Sequence, residues 1–166
     1  MTIRRLTGDD DLKLLQVLLR HYADYLRETV GAEHICFPAY AAEMESLWEH
    51  YCALLLASVD GEAAGCVALK ALPEPGACEM KRLWVEPRFR SLGVGRRLVA
   101  EVIAQARREG FEWMYLDTVA SAMREAYRLY RQFGFEPVER YNDNPVPGVD
   151  FFRLRLGGRD GSAVGY

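Results

Sequence analysis

Apolar positions along residues 9–31 recur every three or four residues. Leu12, Leu15, Leu18, Leu19, Tyr22 and Leu26 fall on one stripe, which predicts an amphipathic helix with Gly31 as its stop. Asp9 or Asp10 is placed to cap it. "PAYAAEMESLWEHY", opened by Pro38, reads as a second helix. "CALLLASVDGEAAGCVALKAL" reads as two strands around Asp60-Gly61, a strong hairpin signal. "ACEMKRLWV" is a further strand, ended by Pro87. A helix over 94–109, a strand in "FEWMYLDTV", a helix in "SAMREAYRLYRQF" and strands in "FEPVERY" and "VDFFRLRL" complete the pattern. The predicted class is mixed α/β, with helices on both faces of one sheet and a right-handed strand–helix–strand unit. One domain is expected over 1–157, with 158–166 as a flexible tail.

Composition narrows the function. The 166-residue chain is 50% hydrophobic, enough for a sizeable core, with a formal net charge of -3. That balance argues against a nucleic-acid partner. No apolar run is long enough to cross a bilayer, and "MTIRRLTGDDD" has no signal-like apolar stretch, so the expectation is a cytoplasmic protein without a membrane partner. Cys36, Cys52, Cys66 and Cys78 match no metal or redox spacing, and His21, His34 and His50 lack ligand spacing. No metal is expected.

The informative stretch is "RFRSLGVGRRLV". Gly93 and Gly95 stand between a strand end and a helix start, flanked by Arg90, Arg96 and Arg97. The first turn of a helix leaves backbone N–H groups without intrahelical partners, and its dipole adds positive charge. Glycines let an anion approach that backbone. The stretch reads as a diphosphate cradle or, as the bland alternative, a tight turn with solvated arginines. It is not a dinucleotide fingerprint, because Leu98 stands at the third glycine position, nor a P-loop, because no Lys-Ser/Thr pair follows.

"RSLGVG", Arg90 to Gly95, resembles the Q/R-x-x-G-x-G/A signature of the GNAT family of N-acetyltransferases. "EMKRLWV" before it and "AYRLYRQFGFE" after it resemble the same family in order and spacing, from about Leu54 onward. The resemblance implies the acyl-CoA N-acyltransferase fold: a mostly antiparallel sheet with one splayed parallel strand pair. It implies acetyl-CoA as cosubstrate, its pyrophosphate on the backbone of Ser91, Leu92, Gly93, Val94, Gly95 and Arg96, beside Arg90. The pantetheine would lie along Leu83, Trp84 and Val85, with Trp84 turned to the opposite face from its neighbours.

The same resemblance assigns roles in direct acetyl transfer to a primary amine. Tyr130 matches the family's thiolate-protonating tyrosine, within Ala126, Tyr130, Gly134 and Phe135. Glu79, eleven positions before Arg90, matches the base of some members. Its alternative is a strand charge paired with Lys81. Asp117 is a candidate for the substrate amine. Where many members carry an asparagine this chain has Met123, with Ser121 nearby as a substitute cofactor contact. The substrate pocket is expected from the first two helices, residues 29–38 and residues 141–148. A small-molecule amine is the expected partner. An acetyl-CoA sensor or pseudoenzyme, or a protein lysine or N-terminal acetyltransferase, are the alternatives. A longer acyl group and a homodimer stay open.

Overall fold

The computed structural model describes residues 1–31 and 37–157. The expected tail over 158–166 and part of the expected pocket loop, residues 32–36, lie outside them. Seven strands form one sheet in the order β1-β2-β3-β4-β5-β7-β6. Strand β1 is Thr2–Arg5, β2 Ala53–Val59, β3 Glu62–Ala71, β4 Ala77–Val85, β5 Trp113–Thr118, β6 Glu136–Pro137 and β7 Asp150–Arg155. Every pairing is antiparallel except β4 with β5. Helix α1 spans Leu12–Val30, α2 Phe37–Glu45, α3 Leu47–His50, α4 Val94–Arg108 and α5 Arg124–Gln132.

Two apolar layers sandwich the sheet. Leu15, Leu18 and Leu19 of α1 pack with Leu47, Leu54 and Trp84 on one face. Leu98, Val102 and Ala106 of α4 pack with Val67, Met114 and Phe135 on the other. The α1 stripe is therefore the one its periodicity predicts. The hairpin turn has φ of 50° at Asp60 and 84° at Gly61, the two left-handed residues that a tight turn matching strand twist requires.

Three readings need correction. The strand expected in "FEPVERY" is only Glu136–Pro137. The edge strand β1 was absent from the predicted order; of "TIRR", only Ile3 turns inward, too short a pattern to register. The second helix is two, α2 and α3. The break is at Ser46, whose backbone leaves the helical region with φ of -135° and whose hydroxyl turns back on the Ala42 carbonyl at 3.1 Å.

The feature that shapes the molecule is a bulge in β4. Arg82 has φ of 59°, and the register against β3 slips between Cys66 and Ala68. One extra residue shifts the alternation. Before it, Cys78 and Met80 face the α4 layer; after it, Leu83 and Val85 do, and Trp84 turns to α1. Strand β3 accommodates this through Gly65, where a Cβ would lie 2.5 Å from the Trp84 carbonyl oxygen. Gly65→Ala is therefore expected to destabilise the fold by about 1–3 kcal/mol, because backbone rather than a pliable side chain must move. Urea denaturation checks this.

Candidate active site

Strands β4 and β5 pair over only three residue pairs, Ala77–Trp113, Cys78–Met114 and Glu79–Tyr115. Past Glu79 they diverge. The edge of β4 that faces β5 is left open while its other edge stays on β3. A cavity of about 290 Å³ fills the gap. Tyr22 of α1 and Tyr40 of α2 line it from one face, and Tyr130 of α5 from the other. It therefore passes through the sheet, between two strand ends that the bulge has parted.

Charged side chains on its walls are held in fixed partnerships. Arg82 donates Nε to Glu43 Oε1 at 3.0 Å and Nη2 to Glu43 Oε2 at 2.8 Å. Arg82 Nε also reaches the Tyr51 hydroxyl at 3.2 Å, and its guanidinium lies 4.9 Å from the Tyr40 ring centre. Burial pushes the Glu43 carboxyl up, but the bonds from Arg82 and Tyr51 outweigh it and hold it below the ordinary value. This clamp thus contributes stability above the ordinary glutamate pKa, about 4.3, and loses it as pH falls through the lowered one. Lys81 Nζ sits 2.9 Å from Glu79 Oε1. Asp117 Oδ2 accepts from Asn142 Nδ2 at 2.7 Å and Asn144 Nδ2 at 3.1 Å, so β5 fastens the 141–148 segment over the cavity.

Tyr130 is 7% exposed. Burial first, then Tyr22 and Asp117, pushes its hydroxyl above the ordinary tyrosine value. It stays protonated at any working pH and can donate.

The glycine loop follows β4 after one short turn at Pro87–Phe89. Ser91 has φ of 73° and Gly93 φ of 76°, so left-handed residues alternate with right-handed or extended ones, the pattern of an anion-binding nest, with the Leu92 N–H between them turned back on the Phe89 carbonyl at 3.4 Å. The first N–H to close on the loop's end is that of Arg97, on Gly93 O at 3.1 Å, which leaves those of Val94, Gly95 and Arg96 ahead of it. A Cβ at Gly93 would meet nothing within 4 Å; backbone conformation, not packing, sets glycine there. The donors and the open approach fit a diphosphate.

With this geometry in place, comparison with known proteins is decisive. The model of the acetyltransferase (GNAT) family matches residues 18–135. The chain belongs to the GNAT family. It is 45% identical over 96 residues to an uncharacterized N-acetyltransferase of Schizosaccharomyces pombe, covering 58% of each chain. It is 28% identical over 149 residues to the human N-acetylaspartate synthetase, covering 82% of this chain and 48% of that one. The chain thus spans about half the length of these relatives. A Salmonella typhimurium structure solved with its cofactor acetyl-CoA superposes with a TM-score of 0.68, at 19% identity, covering 94% of each chain. The fold is the one expected of the family, with the splayed pair at β4 and β5.

Within this GNAT fold the site residues read from sequence fall into distinct places. Tyr130, Leu83 and Asp117 line the cavity. Val85 packs against the α4 layer, and the buried Trp84 ring belongs to the α1 layer. Leu92 is exposed, and Ser91 and Gly93 are exposed on the loop. Arg90 is drawn back: its Nε donates to the Val85 carbonyl at 3.2 Å, and its guanidinium lies 5.0 Å from the rings of both Trp84 and Tyr25. Arg96 is bonded to Gln132, tying α4 to α5. Ser121 is an exposed turn residue, while Met123 lines the cavity. Glu79 is buried, 3% exposed, behind Lys81.

Sequence reasoning missed Arg82, Glu43 and Tyr22. Arg82 and Glu43 are 39 residues apart in sequence. "MKRLW" carries no glycine or proline to announce a bulge, and no local signal joins it to α2.

Proposed function

We propose that this chain is an acetyl-CoA-dependent N-acetyltransferase that acetylates a primary amine of a small molecule by direct attack. The observation that carries the reading is the cavity between β4 and β5, with the Tyr130 hydroxyl on its wall and the N–H loop at the end of β4. Acetyl-CoA supplies an activated thioester and a thiol leaving group. The loop backbone of residues 91–96 holds its diphosphate, and the open edge of β4 at Leu83 and Val85 bonds its arm in strand fashion. A backbone N–H of the bulged strand receives the oxygen as charge develops on it. The amine forms the new C–N bond as the C–S bond breaks, and Tyr130 gives its proton to the sulfur. An acceptor that arrives as an ammonium gives up two protons: one leaves toward Glu79, through water at Lys81, before attack, and the other restores the tyrosine hydroxyl. Asp117 faces the acceptor. Ser121 supports the cofactor from the turn before α5.

Calorimetric titration with acetyl-CoA, followed by thiol release in the presence of amines, tests this. Saturable binding and amine-dependent release are expected; a folded chain that binds no acetyl-CoA overturns the reading. Glu79→Gln is expected to lower kcat about tenfold or more while acetyl-CoA affinity holds, as steady-state kinetics beside calorimetry would read. An unaltered kcat would leave Glu79 only its pairing with Lys81.

A further inference from the structure

We propose that the acceptor carries one charge, its ammonium, on an uncharged aromatic or aliphatic body. The proposal rests on the transferase reading above and concerns the acceptor end of the same cavity. Among the described residues, four charged side chains line it: Glu43, Lys81, Arg82 and Asp117. Three of them arrive matched. Glu43 takes Arg82 through both carboxylate oxygens, and Lys81 is paired with Glu79. Asp117 differs. Its bonds come from two neutral amides, those of Asn142 and Asn144, and both fall on Oδ2.

Asp117 is therefore the one lining charge that no described cation balances. A partly buried carboxylate in this state gains most from a ligand ammonium. The field of Asp117 is also felt at Tyr130. An amine drawn to Asp117 stands on the side of the cavity where the leaving sulfur is to be protonated.

The remaining walls decide the body. Tyr22, Leu26, Tyr40, Val119, Val146 and Val149 offer rings and aliphatic surface. A carboxylate on the acceptor would stand near Glu43 and Asp117, and the cations within reach are already held, Arg82 by Glu43 and Lys81 by Glu79. A second ammonium would face Lys81 and Arg82. Each arrangement adds a charge that meets like charges or partners already matched in a low-dielectric cleft, and that is costly. The charge pattern thus selects against amino acids, acidic ones most of all, and against polyamines.

The test is thiol release by the full chain at saturating acetyl-CoA with matched acceptors. Phenethylamine is set against phenylalanine, isobutylamine against valine, and butylamine against 1,4-diaminobutane, with aspartate alongside. The singly charged member of each pair is expected to have a kcat/KM at least about tenfold higher. Asp117→Asn is expected to collapse that preference, an effect that mere loosening of the 141–148 segment would not produce. Equal or better use of phenylalanine, valine, the diamine or aspartate overturns the acceptor class and leaves acetyl transfer standing. If acetyl-CoA binds and no acceptor is turned over, the acceptor class and the transfer reading both fall. If acetyl-CoA does not bind, the cofactor reading fails first and this proposal with it. The wild-type panel decides even if Asp117→Asn does not fold.

Discussion

Tyr130→Phe is expected to lower kcat about 10²- to 10³-fold, the range set by losing a positioned proton donor. The affinity for acetyl-CoA should stay within about threefold, because the lost hydroxyl acts only as sulfur departs. Stability should change little. The ring keeps its packing, edge-on to Phe135 with centroids 5.9 Å apart. Among the described residues nothing shares a hydrogen bond with the hydroxyl, so its removal orphans no buried partner. The raised pKa has a sign that can be checked too. Tyr130 is protonated below its elevated value, so it gives the wild-type rate profile no alkaline limb below the ordinary tyrosine pKa, about 10. Steady-state kinetics beside calorimetry separates the two constants. A wild-type kcat in Tyr130→Phe would remove it as the acid.

Gly93→Glu is expected to weaken acetyl-CoA binding more than about hundredfold, since like charges brought together cost several kcal/mol. A Cβ there meets nothing, so the protein need not repack. Two costs remain. A non-glycine residue at φ of 76° carries strain of roughly 1 kcal/mol. The carboxylate then stands over N–H groups meant for phosphate oxygens. Gly93→Ala bears the first cost alone and separates them: it should lose affinity far less. Calorimetry on both variants reads the difference. Equal affinities for wild type and Gly93→Glu would make the loop a turn and nothing more.

These two residues were legible because each is announced locally. Gly93 sits in a short motif between a strand and a helix, and Tyr130 on a helix ended by Gly134 and Phe135. The hairpin at Asp60-Gly61 was legible for the same reason: turn chemistry acts over two residues. The rest of the site is built from distance. Arg82 meets Glu43 only once α2 has folded over β4, and Asp117 meets Asn142 and Asn144 only once the 141–148 segment has returned to β5. Arg90 shows the opposite limit. Its charge was legible, but its stack on Tyr25 and Trp84 depends on where α1 docks.

The three-pair seam between β4 and β5 makes the sheet a bivalve with a short hinge. Four strands stand on one side and three on the other, joined along one sheet mainly at Ala77 to Glu79. Such a seam is the first place for the two halves to part. A long cosubstrate laid along the open edge of β4 and touching β5 would close the gap that the bulge opened, and would act as a removable staple. Ligand that binds only the folded state adds about 2.7 kcal/mol at a hundredfold excess over its dissociation constant. The melting temperature of this chain would then report how full the seam is, with the unliganded protein as its softest form.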